Sequence, residues 1–335
     1  MRSAHRPLRI ALGALTAFAI AFVGAGLAGW GPAAENEQAI GEISRWCERV
    51  SGGLLREPVN TLGNLAFVVA GLAIFLMLAR DTEAGTDSPN PFRSNTPIAV
   101  LYASAALFLG PGSMVMHGSH TRFGAWIDNV SMVAYVLVPW LYNLSVLGRW
   151  RPRTFFTIYG STLALYAAGY WLIAPDLGIG LRMFEISIPL WLISESLIKV
   201  RVPAFRWVSG LLGFVIAAVF GLTPVDMLDD PAGHWWVILF WLPAVVTAGA
   251  SPVERRYTPW FFVGVGSFLT AYAIWLTGTA DSSTCNPDSL VQAHAIWHML
   301  SAVSTFAFFL FLRTQRPLEP VSPTPSDEPL GAGRG

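Results

Sequence analysis

Residues 290–312, LVQAHAIWHMLSAVSTFAFFLFL, contain no Asp, Glu, Lys or Arg. A helix rises 1.5 Å per residue, so about 20 such residues cross the ~30 Å hydrocarbon core of a bilayer. The run is apolar almost throughout instead of striped, which reads as a membrane span. Working outward, similar runs lie at 10–30, 61–79, 95–116, 125–147, 155–174, 179–198, 207–223, 234–250 and 259–277. The expected fold is therefore an all-α polytopic transmembrane helix bundle of about ten spans. Composition agrees: 53% of the chain is hydrophobic and only 13% charged, against about 25% charged in a soluble domain. The formal net charge is zero, so no basic field points to nucleic acid.

The charges between spans order the bundle. Arg2, Arg6 and Arg9, then Arg80 and Arg93, Arg149 to Arg153, Lys199 to Arg206, Arg255 and Arg256, and Arg313 and Arg316 fall in alternate segments. The intervening segments carry few basic residues (Arg45, Arg49, Arg56 and Arg122) and hold Asp226, Asp229, Asp230, Asp281 and both cysteines. The positive-inside rule then places both termini in the cytoplasm. Residues 1–30 read as an uncleaved membrane anchor, with a cleaved signal peptide as the alternative reading. Residues 31–315 form the transmembrane domain, and 316–335, rich in Pro, Ser, Gly and Glu, a disordered cytoplasmic tail. Cys47 and Cys285 share the outward, oxidising side, which suggests a disulfide; two unpaired interfacial thiols are the alternative.

Ionisable residues inside spans are costly and are functional candidates by default. His5 and His234 sit in a basic tail and beside Trp235-Trp236, and His120 in a polar turn reads as solvated. That leaves His117, His294 and His298. His294 and His298 are four residues apart, on one helix face. Two such imidazoles and a third from another helix leave one position open for water, the usual catalytic zinc arrangement. Ser113 and His117 repeat the four-residue spacing after Gly110-Pro111-Gly112, which favours a kink or a close helix approach. Asp128 opens the next span. Glu48, Glu57 and Asn60 flank the second span, where Glu57 and Asn60 also read as plain helix caps. The topology places all of these residues at one depth near the outer leaflet, which argues for one shared site.

The set Trp46-Cys47-Glu48, Glu57-x-x-Asn60-Thr61-x-x-Asn64, Ser113-x-x-x-His117, Asp128 and His294-x-x-x-His298 resembles the alkaline ceramidase family and its wider superfamily of seven-helix membrane hydrolases. The resemblance implies a seven-helix hydrolase-like core with extra helices, in a member whose loops look bacterial and whose site faces outward from the inner membrane. It implies zinc on His117, His294 and His298, with Ser113 and Asp128 as catalytic residues, and a membrane lipid amide as substrate, ceramide foremost. The family's calcium site would retain only Trp46, through its carbonyl, Glu48 and Glu57. Arg45 and Val50 stand where that site has an Asp and an Asn, and Arg45 is a cation where an anion belongs. A receptor of the same superfamily is the competing non-enzyme reading. A rhomboid-like protease pairing Ser113 with His298, and a haem protein using His117 and His298, account for fewer of the residues.

Overall fold

The computed structural model describes residues 4–34, 37–85, 88–173 and 183–318. Its helices are α1 (Arg6–Leu27), α2 (Pro58–Gly63), α3 (Leu65–Glu83), α4 (Pro97–Ser119), α5 (Arg122–Leu147), α6 (Pro152–Ile173), α7 (Met183–Lys199), α8 (Phe205–Val208), α9 (Leu211–Val219), α10 (Pro224–Asp229), α11 (Leu242–Val246), α12 (Trp260–Leu276) and α13 (Ala293–Leu312). A 3₁₀ helix, Trp235–Trp241, precedes α11, and the strands Val253–Glu254 and Arg316–Pro317 pair antiparallel. The protein is thus an all-α bundle. Among the described residues, five helical stretches are long and apolar enough to cross a membrane: Arg6–Leu27, Pro58–Glu83, Pro97–Ser119, Arg122–Leu147 and Ala293–Leu312.

Local sequence sets the ends that matter for the site. Thr96 caps α4, its Oγ1 accepting from the Ala99 N–H at 3.2 Å, and Thr121 caps α5 by accepting from Gly124 at 3.1 Å. Such caps satisfy N–H groups that have no partner inside the helix. α4 runs on through Pro111. The flanking glycines serve close approach: a Cβ on Gly112 would lie 2.6 Å from the Ser131 Cβ of α5, and one on Gly110 would lie 3.1 Å from the Asn64 carbonyl oxygen. Gly63 allows the same on the other side, where a Cβ would meet the Cα of Ala295 at 2.9 Å. α2 is thereby wedged between α4 and α13.

α13 packs on α12 and α3, α3 on α4, α4 on α5, and α5 on α6 and α7. The buried core of this ring includes Ile74, Leu78, Tyr102, Leu137, Leu190 and Phe309. Its outer surface is apolar, with Val69, Leu165, Leu172 and Val303 exposed, as lipid contact demands. α1 lies within the segment expected as an anchor and leans on α3 and α4.

Contacts between the connecting segments sort as the alternating charges require. At one end, Asn95 reaches the Ala4 carbonyl, Arg93 that of Arg313, and Arg313 pairs with Asp81. At the other, Cys47 is disulfide-bonded to Cys285, Arg49 pairs with Asp288 at 2.7 Å, and the Arg56 N–H donates to Gly118.

Two expected spans come out differently. Residues 207–223 give α8 and α9 with a break at Ser209-Gly210, and 234–250 give the 3₁₀ helix and α11. The nine residues of α9 reach only about 14 Å at 1.5 Å each, well short of a bilayer. Gly221 with φ +84° ends the first segment, and Pro243 interrupts the second. The two pieces cross, Trp241 donating to the Trp207 carbonyl at 2.9 Å and Arg206 to that of Ala244 at 2.6 Å. The start of the span expected at 179–198 and, from residue 319, the expected tail lie outside the described residues.

Candidate metal centre

α4 ends where α13 begins, so the spacing of four on each helix places side chains face to face. Ser113 and His117 stand one turn apart near the end of α4. His294 and His298 stand one turn apart at the start of α13. All three imidazoles are buried. His117 Nε2 lies 3.1 Å from His294 Nε2 and 3.3 Å from His298 Nε2. Two nitrogens bound tetrahedrally to a zinc ion at about 2.0–2.1 Å lie about 3.3 Å from each other. The cluster could therefore hold a metal ion, and its geometry is compatible with zinc. Among the described residues it is the one grouping of three His, Cys, Asp or Glu side chains with that capacity.

The surroundings orient the three imidazoles. His117 Nδ1 is hydrogen-bonded to Glu57 Oε2, which fixes the proton on Nδ1 and turns the Nε2 lone pair inward. A carboxylate behind a ligating histidine is the usual orienting partner. The Trp46 indole lies on the His294 ring, and Phe67 meets His298 edge-on with centroids 6.2 Å apart. The Asp128 carboxylate, on the second turn of α5, faces His117 and Ser113. Several buried polar atoms here have no hydrogen-bond partner of good geometry: Asn60 Oδ1, Asn64 Oδ1, His294 Nδ1, Glu57 Oε1 and His120 Nδ1. Buried polar groups are rarely left so; this density of free donors and acceptors suits a polar reacting group and water.

Trp46, Glu48 and Glu57 lie beside the cluster. Both oxygens of Glu48 accept backbone N–H groups at the start of α2, from Val59 at 2.7 Å and Asn60 at 2.8 Å. Glu48, not Glu57 or Asn60, is thus the cap of α2, reaching it from another loop. Glu57 is committed to His117, and Arg45 is paired with Glu37.

Burial raises the carboxyl pKa of Glu48 above the ordinary range, partly offset by the two N–H groups. Burial raises Glu37 likewise, against the pull of Arg45. At Glu57 burial opposes the charge, but the His117 and His120 rings outweigh it and hold the carboxyl below its usual range.

One expectation fails. His120 is not solvated: it is 2% exposed, in the left-handed conformation that ends α4, with φ 53°. Its Nε2 is 3.4 Å from Glu57 Oε1 and its Nδ1 3.7 Å from Glu37 Oε2. The available signal was its position three residues after His117, which keeps it at the same end of the helix. Nothing in the sequence marked Glu37.

No curated protein matches the chain at a significant level. A family model described as Ceramidase matches residues 43–322, which takes in the triad, Ser113, Asp128, Glu48 and Glu57 and leaves out α1. With more than half of the 335 residues inside that match, the chain belongs to the ceramidase family.

Proposed function

We propose that this chain is a membrane-embedded, zinc-dependent amidohydrolase that cleaves ceramide to a sphingoid base and a fatty acid. The observation that carries the reading is the convergence of the His294 and His298 Nε2 atoms to 3.1 and 3.3 Å from His117 Nε2, with Asp128 facing His117 and Ser113. Family membership supports a ceramidase-type hydrolase, and the apolar bundle supports a substrate drawn from lipid.

His117, His294 and His298 would hold the zinc ion. When bound, zinc acts as a Lewis acid that makes water a competent nucleophile near neutral pH. The neutral histidines leave the ion's charge undiminished, so attack on a poorly reactive amide is favoured. Asp128 would accept a proton from the attacking water and return it to the leaving amine. The Ser113 hydroxyl, which faces Asp128, would donate to the carbonyl oxygen as negative charge develops there. Glu57 keeps His117 in the tautomer that binds metal through Nε2. Trp46 and the disulfide-tied loop close the polar end of the site, and the substrate's chains lie among the helices.

The alternation of basic segments supports a bacterial inner-membrane protein with both termini cytoplasmic and the site near the outer face. The test is metal analysis of purified protein together with release of sphingosine from ceramide. His298→Ala should lose both metal and turnover, and a metal-free variant that still releases sphingosine would overturn the reading.

A further inference from the structure

His120 lies outside the triad, and no step above uses it. It is nonetheless buried in a left-handed turn, a conformation that costs a non-glycine residue free energy unless its surroundings enforce it. Those surroundings are specific. Its N–H donates to Met116 at 2.9 Å and its carbonyl accepts from Ala34 at 2.9 Å. Its ring stands between two carboxylates, Glu57 and Glu37, and Glu37 is in turn held by Arg45. Arg45, Glu37, His120, Glu57 and His117 thus form one line of polar contacts that ends on a residue of the triad.

Glu57 sits at the branch. Its N–H donates to the His117 carbonyl at 2.9 Å. Its Oε2 is bonded to His117 Nδ1 and accepts a long hydrogen bond from Asn60 Nδ2 at 3.5 Å, while Oε1 has His120 across 3.4 Å. Without His120, nothing engages Oε1, and the carboxylate can rotate away from the His117 ring.

We propose that His120 is a positioning residue for the metal centre, gripping Glu57 Oε1 so that Glu57 Oε2 stays on His117 and His117 presents Nε2 to the ion. Its partner Glu37, anchored by Arg45, holds the His120 ring in place. The inference rests on the metal-centre reading of the triad. It is tested on metal binding in the absence of substrate, so a chain that binds zinc but does not cleave ceramide leaves it standing. A wild-type chain that binds no zinc defeats the metal-centre reading itself.

The experiment is a double-mutant cycle on the detergent-purified full chain, with His120→Asn, Glu57→Gln and the pair. Asn tolerates the left-handed turn but is too short to reach Glu57. Zinc affinity is read by chelator competition, and ligand geometry by the visible absorption of the cobalt-substituted protein. His120→Asn should weaken zinc binding about 10-fold or more, in the range seen for loss of an outer-shell partner, and should change the cobalt spectrum. The double variant should bind no more weakly than Glu57→Gln alone, since both changes break the same grip. If His120→Asn gives no folded protein, His120→Gly, unstrained in that turn, carries the same cycle. Wild-type affinity with an unchanged cobalt spectrum, or losses that multiply in the double variant, would overturn the proposal.

Discussion

The Trp46 indole stacks on the His294 imidazole, with centroids 4.3 Å apart and planes 17° from parallel. The residues that follow Trp46 bind two further parts of the site. Cys47 is bridged to Cys285 in the segment before α13, and Glu48 caps α2. A single loop therefore touches His294 of the triad, the segment leading into the helix that carries it and the wedge helix beside Glu57. Its role is to hold pieces that no regular secondary structure joins.

Trp46→Ala should weaken metal binding without abolishing it. An aromatic pair contributes about 0.5–1.5 kcal/mol beyond its buried area, equivalent to a roughly 2- to 10-fold loss in affinity. Trp46→Phe should recover most of that. Chelator competition on the three proteins measures it, and equal affinities for Ala, Phe and Trp would show that the stack does not constrain His294.

The disulfide closes a loop of 238 residues, long enough for the cross-link to matter greatly to the unfolded chain. A bridge of this kind typically stabilises by about 2–4 kcal/mol. Cys47→Ser with Cys285→Ser should lower the thermal transition, and zinc should restore part of the difference because it binds the folded state only. A transition unmoved by the double replacement, with and without zinc, would mean the Arg49–Asp288 pair and the loop hydrogen bonds suffice.

Ser113 and Asp128 are separable from metal binding, because neither belongs to the triad. Asp128→Asn should retain zinc and lose nearly all turnover, since the amide cannot accept the proton. Ser113→Ala should retain zinc and lower kcat by about 10²–10³-fold, the cost of removing one oxyanion donor. Ceramide turnover and metal content measured on the same preparations test both. Loss of zinc in either variant would move that residue from catalysis to support of the metal.

The bundle was legible because long apolar runs are a direct consequence of lipid as solvent, and a backbone in lipid must be helical or closed. The triad was legible because i, i+4 spacing survives any detail of packing, and the loop charges placed the two pairs at one depth. The failures have physical causes. Hydropathy registers that 207–223 and 234–250 are apolar, but not that Gly210, Gly221 and Pro243 interrupt them. His120 looked solvated because its neighbours in sequence are polar, whereas its burial depends on Glu37 and Ala34, far back along the chain. The capping of α2 by Glu48, through the N–H groups of Val59 and Asn60, is a contact that exists only after folding.

At the opposite end of the bundle, the fully buried Arg255 side chain pairs with Glu195 of α7. It also donates to Asn143 Oδ1 at 2.8 Å and, through Nε and Nη2, to Gln315 Oε1 at 3.1 and 2.8 Å. Tyr257 donates to the other Glu195 oxygen at 2.6 Å, and Gln315 to the Tyr142 hydroxyl at 2.6 Å. Every charge in this cluster is matched, and it ties α5, α7, the segment before α12 and the end of α13. Arg255→Met would leave Glu195 buried without its cation, a change that costs about 3–5 kcal/mol in comparable pairs. Removing both charges, as Arg255→Met with Glu195→Met, should cost much less, because no unpaired charge remains. Thermal unfolding of the purified proteins decides this, with the double variant expected above the single. Zinc affinity per folded molecule should stay at the wild-type level in both, since the cluster and the triad occupy opposite ends of the helices. If the single variant were as stable as wild type, Glu195 would have to reach water, and the buried pairing at this end of the bundle would not be what holds these segments together.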